Sequence, residues 1–115
     1  MDNYVRAFSD GESYTQESGP DCDFSTILIK GEVGDMGAGL IKMQGPTWNK
    51  PTAHDKWHQF YILLKGSGIM NIGDEEFPVT APAVIKIPYN TLHAMKVEKD
   101  NYVEYIYVNQ HIGEN

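Results

Sequence analysis

From residue 25 onward, apolar residues come in short runs separated by turn formers. The runs are Thr26-Ile27-Leu28-Ile29-Lys30, Leu40-Ile41-Lys42-Met43-Gln44, Phe60-Tyr61-Ile62-Leu63-Leu64-Lys65, Ile69-Met70-Asn71-Ile72, Phe77-Pro78-Val79, Val84-Ile85-Lys86-Ile87 and His93-Ala94-Met95-Lys96-Val97. The last, Tyr102-Val103-Glu104-Tyr105-Ile106-Tyr107-Val108, alternates strictly between two faces. Gly, Pro, Asn or Asp stand between the runs, for example Gly66-Ser67-Gly68, Gly73-Asp74 and Asp100-Asn101. β-Branched and aromatic runs with period two, punctuated every ~8–12 residues, predict strands and turns. No segment sustains a helical period. The pattern predicts an all-β sandwich or barrel.

The first 25 residues have another texture. Six acids (Asp2, Asp10, Glu12, Glu17, Asp21, Asp23) accompany one base, Arg6. Residues 1–25 are therefore expected to be an acidic arm, with 8–23 free of regular structure and Tyr4 to Phe8 able to form a short edge strand. Residues 26–115 are expected to be the barrel domain.

Composition narrows the partners. The chain has 115 residues, 41% hydrophobic and 22% charged, which suits one ordinary folded domain. A net charge of −7 disfavours nucleic acid and anionic membrane surfaces. No apolar run approaches the ~20 residues of a membrane helix. The N-terminus lacks the order of a signal peptide, so a cytoplasmic address is expected. A single cysteine, Cys22, excludes an intrachain disulfide and any multi-cysteine zinc site. Cys22 has no local basic partner to activate it, so it reads as inert.

Three of the four histidines fall at strand boundaries. His54 and His58 frame the loop before the strongest strand, and His93 opens a later one. Neutral imidazole is the commonest metal ligand. Two close histidines and a distant third suit zinc, iron, manganese, nickel or copper. His111, in the tail, is expected to be exposed.

Residues 45–108 resemble the cupin superfamily. The first family motif ends at a glycine, matched by Gly66, which puts Gln59 at its glutamate and His54 at its second histidine. Thr52 occupies the place of the first histidine. The second motif appears as Pro88-Tyr89-Asn90-Thr91-Leu92-His93, with Asn90 in place of glycine. Asn tolerates positive φ best among non-glycine residues, so that turn can survive. The resemblance implies a cupin double-stranded β-helix, a jelly-roll-like barrel, with a divalent transition metal at its mouth, or none where the ligands are lost. It also implies a homodimer.

Two ligand sets stay open. One is His54, Gln59 and His93. The other takes His58 as third ligand, from the run His54-Asp55-Lys56-Trp57-His58-Gln59, and needs a β-bulge between His58 and Gly66. Adjacent strand residues face opposite ways, so His58 and Gln59 cannot both point inward without a bulge. Imidazole outcompetes a neutral amide oxygen for borderline metals, which favours His58.

Tyr61, Leu63 and Lys65 share the face of Gln59, and Val103, Tyr105 and Tyr107 share one face of the last strand. Tyr61, Trp57 and Tyr105 are the candidate substrate contacts, although Trp48 and Trp57 equally suit a dimer interface. Glu104 is either a general acid or base or an outward, solvated residue. The resemblance then admits a metal-dependent enzyme acting on a small organic molecule, of oxygenase, isomerase, lyase or decarboxylase type. A metal-free small-molecule sensor is the alternative, because Gln59 at the glutamate position also resembles the ligand-binding barrels of arabinose-regulator-type transcription factors. No segment here has the helical period of the helix-turn-helix domain those regulators attach. A dimeric stress or storage barrel without chemistry is the third reading.

Overall fold

One strand, β5 (Trp57–Ile72), belongs to both sheets of the protein. The computed structural model describes residues 4–113. The other strands are β1 (Glu12–Tyr14), β2 (Cys22–Leu28), β3 (Met36–Gln44), β4 (Thr47–Trp48), β6 (Glu75–Thr80), β7 (Ala83–Ile87), β8 (His93–Val97) and β9 (Tyr102–His111). The first half of β5 pairs with β9 and β7, within the order β1-β2-β3-β9-β5-β7. Its second half pairs with β6 and β8, and β8 carries β4. All these pairings are antiparallel. The chain is an all-β barrel. No helix among the described residues is long and apolar enough to cross a membrane.

The expected turn at Gly66-Ser67-Gly68 is a bend inside β5 instead. A β-bulge lies between Leu63 and Lys65, where the register with β9 shifts, and Gly66 follows at φ 81°. A side chain at Gly66 would collide with the Tyr102 carbonyl, so glycine is required by conformation and by space. The extra residue moves the inward positions of β5 from odd numbers (Gln59, Tyr61, Leu63) to even ones (Met70, Ile72). Lys65, expected on the face of Gln59, is consequently exposed.

Between the sheets lies one core. β2 and β3 contribute Phe24, Ile41 and Met43; β5 contributes Tyr61, Leu63 and Met70. Ile85, Met95, Val97, Val103 and Tyr105 complete it. Flexible methionines suit the irregular space where two curved sheets meet.

The N-terminal segment departs from its expectation. Residues 4–7 form no strand, and Phe8–Asp10 make a short 3-10 turn. The edge strand is β1, three residues paired with β2, and β2 starts at Cys22. Phe24 is core and not arm. Arg6 explains why the chain crosses the sheet corner there. Its guanidinium donates to the Ile27 carbonyl and to both carboxylate oxygens of Glu32.

Candidate functional site: a polar cavity between the sheets

His93 opens β8, where its backbone exchanges two hydrogen bonds with Thr52. The preceding turn passes through Asn90 at φ 51°, so asparagine does take the left-handed conformation that the family motif gives to glycine. His93 is 3% exposed. Its Nδ1 lies 2.9 Å from the Thr91 carbonyl, which can only accept, so Nδ1 carries the proton and Nε2 the lone pair. Burial lowers the imidazole below the ordinary histidine range, against the opposing pull of the Thr91 bond.

His54 comes from residues 49–56, the loop between β4 and β5. Its ring is 5.2 Å from that of His93, edge-on, and stacks on Trp57 at 4.7 Å. Burial lowers its pKa as well, and the neighbouring His93 adds to the effect. Two imidazoles thus meet, both biased toward the neutral form.

β5 supplies the next wall. Trp57 is a strand residue rather than a loop residue, with His54 on one side and His111 at 5.1 Å on another. His111 is accordingly half-buried at the end of β9, not in an exposed tail. Gln59 donates from Nε2 to Asn109 Oδ1 at 2.8 Å. Tyr61 reaches the same space, its ring 6.0 Å from His93. Trp57, Gln59 and Tyr61 face inward together, and strand alternation sends His58 outward. His58 packs instead on Tyr89, ring centres 5.2 Å apart. The bulge that would have turned it inward is present but lies beyond Leu63, too late to change the relation of His58 to Gln59.

These residues surround a cavity of about 340 Å³. Of the expected site residues, it brings together His54, His93, Gln59, Trp57 and Tyr61. It leaves out His58 and Tyr105. Tyr105 is fully buried beneath Tyr61, ring centres 4.6 Å apart, and its hydroxyl accepts from Asn49 Nδ2. The strand position facing the cavity is Tyr107, two residues on. Further lining residues went unassigned in the sequence, among them Tyr14, Asn49, Lys50 and Asn109. Period two from Tyr105 through Tyr107 to Asn109 carried a signal for the last. Nothing local marked Tyr14, a lone aromatic among polar residues. Glu104 faces outward, beside Lys42, and accepts from the Tyr102 hydroxyl.

The donor set does not match the metal site that the resemblance implies. Two imidazoles converge, but Thr52 replaces the first histidine, and Gln59, whose Nε2 donates to Asn109, offers only a neutral amide oxygen. Among the described residues no three His, Cys, Asp or Glu side chains are grouped to hold a metal ion. Tightly held transition metals take three or four such ligands. The residues present do not fit one.

The profile of the AraC-like ligand-binding domain matches residues 41–114, well over half of the chain. The chain belongs to that family. No curated protein matches it. Among solved structures, this AraC-like domain is similar to a predicted oxalate decarboxylase of Thermotoga maritima, at 14% identity and TM-score 0.83, covering 94% of this chain and 99% of the other. It is similar to the cupin domain of Schizosaccharomyces pombe Cnp3, at 12% identity and TM-score 0.77, covering 95% and 74%. It also resembles the polyketide cyclase RemF of Streptomyces resistomycificus, at 13% identity and TM-score 0.77, covering 100% and 88%. At such identities the likeness shows the fold, and the AraC-like domain is a cupin by that fold.

Proposed function

We propose that this protein is a binding barrel for one small polar organic molecule, held in the cavity between the sheets without a transition metal. The observation that carries this is an imbalance in the cavity wall. Trp57 Nε1 and Gln59 Oε1 are buried without a hydrogen-bond partner, and both residues line the cavity. An unsatisfied buried polar group costs about 1–3 kcal/mol. A ligand that pairs with such groups recovers that cost on binding, which is a reason for a fold to keep them. The volume falls at the small end of the ~300–1,000 Å³ of ligand pockets.

The metal-dependent enzyme implied by the cupin resemblance needs a ligand set that these residues do not assemble. Two structural neighbours are named as enzymes, and at 13–14% identity their chemistry remains their own. A binding barrel would signal through another protein, most simply in the cytoplasm, where the lone Cys22 stays reduced.

The test is a thermal-shift screen of polar metabolites, with elemental analysis of protein purified without a histidine tag. Stabilisation by an organic compound, in protein carrying far less than one metal per chain, is expected. Stoichiometric metal whose removal abolishes ligand binding would overturn the metal-free reading.

The expected homodimer belongs to the same proposal. On the outer face of the larger sheet, Phe60, Ile62, Val84, Ile106 and Val108 are cross-strand neighbours. Lys86 stands at one end of this stripe. At the other end two acids, Asp23 and Glu104, flank one base, Lys42. A two-fold axis through the stripe would set unlike ends together, the arrangement that an isologous dimer needs. Sedimentation as a monomer at micromolar concentration would remove this part.

A further inference from the structure

We infer that the ligand of the cavity is a small hydroxy acid, held as its carboxylate. The inference rests on the binding reading above and adds the ligand class.

The first observation is charge. The chain contains 16 Asp and Glu residues, yet none of those among the described residues lines the cavity. The lining groups able to carry positive charge are Lys50, His54 and His93. In a protein of net charge −7, the cavity is a region cleared of acids. A cation-binding pocket would need the reverse.

The second observation is how hydrogen bonds are spent around the cavity. Some of its acceptors are consumed inside the protein. Asn49 Oδ1 accepts from the Met95 backbone and Asn109 Oδ1 from Gln59. Its donors are not. Trp57 Nε1–H has no acceptor. The Tyr14 and Tyr107 hydroxyls share one bond at 2.9 Å, which uses one of their two hydrogens. The Lys50 ammonium meets Glu17 at 3.7 Å, with both side chains more than half exposed, a pairing easily exchanged. A wall with unpaired donors and no described acid complements a carboxylate, an acceptor-only group with about four lone-pair sites.

Among the described residues one fully buried side-chain oxygen is unpaired, Gln59 Oε1. It asks for a donor on the ligand, and a hydroxyl supplies it. A simple carboxylate would leave that atom unpaired, and a neutral polyol would make no use of the Lys50 charge. The aromatic walls from Tyr61, Trp57 and Tyr107 suit a ligand with a flat or apolar body.

The experiment is calorimetric titration of the full chain with mandelate and 4-hydroxybenzoate, each against its primary amide, and with glucose as a neutral polyol. The acids should bind about tenfold or more tighter than their amides, the range of a charge-assisted hydrogen bond. Lys50→Met should erase most of that difference; its exposed side chain makes the variant safe to fold. Amides or glucose binding as tightly as the acids, or Lys50→Met without effect on the acids, would overturn the ligand class while the binding reading stands. Acids that fail to bind at millimolar concentration also overturn it. Failure of every compound in the metabolite screen would instead bring down the binding reading itself.

Discussion

The hydroxyls of Tyr14 and Tyr107 lie 2.9 Å apart, although 93 positions separate them in the chain. Tyr14 stands on edge strand β1, and its side chain reaches over the inner face of β2 and β3 to β9. The bond fastens the outermost strand to the cavity wall. Burial, then the bond to Tyr107, pushes the Tyr14 hydroxyl well above the ordinary tyrosine range, so it stays protonated and able to donate at any physiological pH. Tyr14→Phe should cost about 0.5–1.5 kcal/mol in urea denaturation. Tyr107→Phe should cost about the same, and the double variant little more than either. Fully additive costs would show that the bond contributes nothing.

Gly39 makes that contact sterically possible. It is the register partner of Tyr107, and a side-chain carbon there would overlap the Tyr107 ring. Gly39→Val should therefore displace the ring, destabilise the fold by about 1–3 kcal/mol and weaken ligand binding. A variant with unchanged stability and unchanged titrations would show that Tyr107 does not form the wall described here.

His54 and His93 give stability a definite pH dependence. Both folded-state values are depressed, mainly by burial. Between those values and the unfolded value near 6.5, the unfolded chain binds protons that the folded one does not. Stability is thus fully present above about pH 6.5. It declines as pH falls through the lowered folded values, and levels off below them. Urea midpoints between pH 8 and 5 should fall in this sense, and a His54→Gln, His93→Gln double variant should show a shallower fall. An equally steep profile in the double variant would place the dependence elsewhere.

The Glu32 carboxyl is held at about 2, first by its hydrogen bond with Arg6 and next by the Ile29 backbone N–H. An NMR titration should find it ionised throughout the usual glutamate range. Arg6→Ala should move its midpoint upward by removing the larger cause. A midpoint in the ordinary range in the unaltered protein would mean that Arg6 does not pin the N-terminal segment to this corner.

The strands after residue 25 were legible because each is a local matter. Apolar residues at period two, closed by Gly, Pro, Asn or Asp, specify a half-buried strand without reference to its neighbours. His54, Gln59 and His93 were legible through motif spacing, and Asn90 through its tolerance of positive φ. What local pattern does not contain is the partner of a strand or the phase of its side chains after a bulge. The bulge beyond Leu63 turned Lys65 outward and joined two expected strands into β5, although the sequence there reads as a turn. The choice between His58 and Gln59 came down to which face of β5 meets β8 and the loop before it. Tyr14, Lys50 and Asn109 joined the site from distant parts of the chain because antiparallel pairing folds those parts onto one cavity. By itself the sequence determined which segments become strands and which residue types can bind. Only the packing of the two sheets decided which side chains share an enclosed space, because long-range register and burial, rather than local propensity, set where a side chain points.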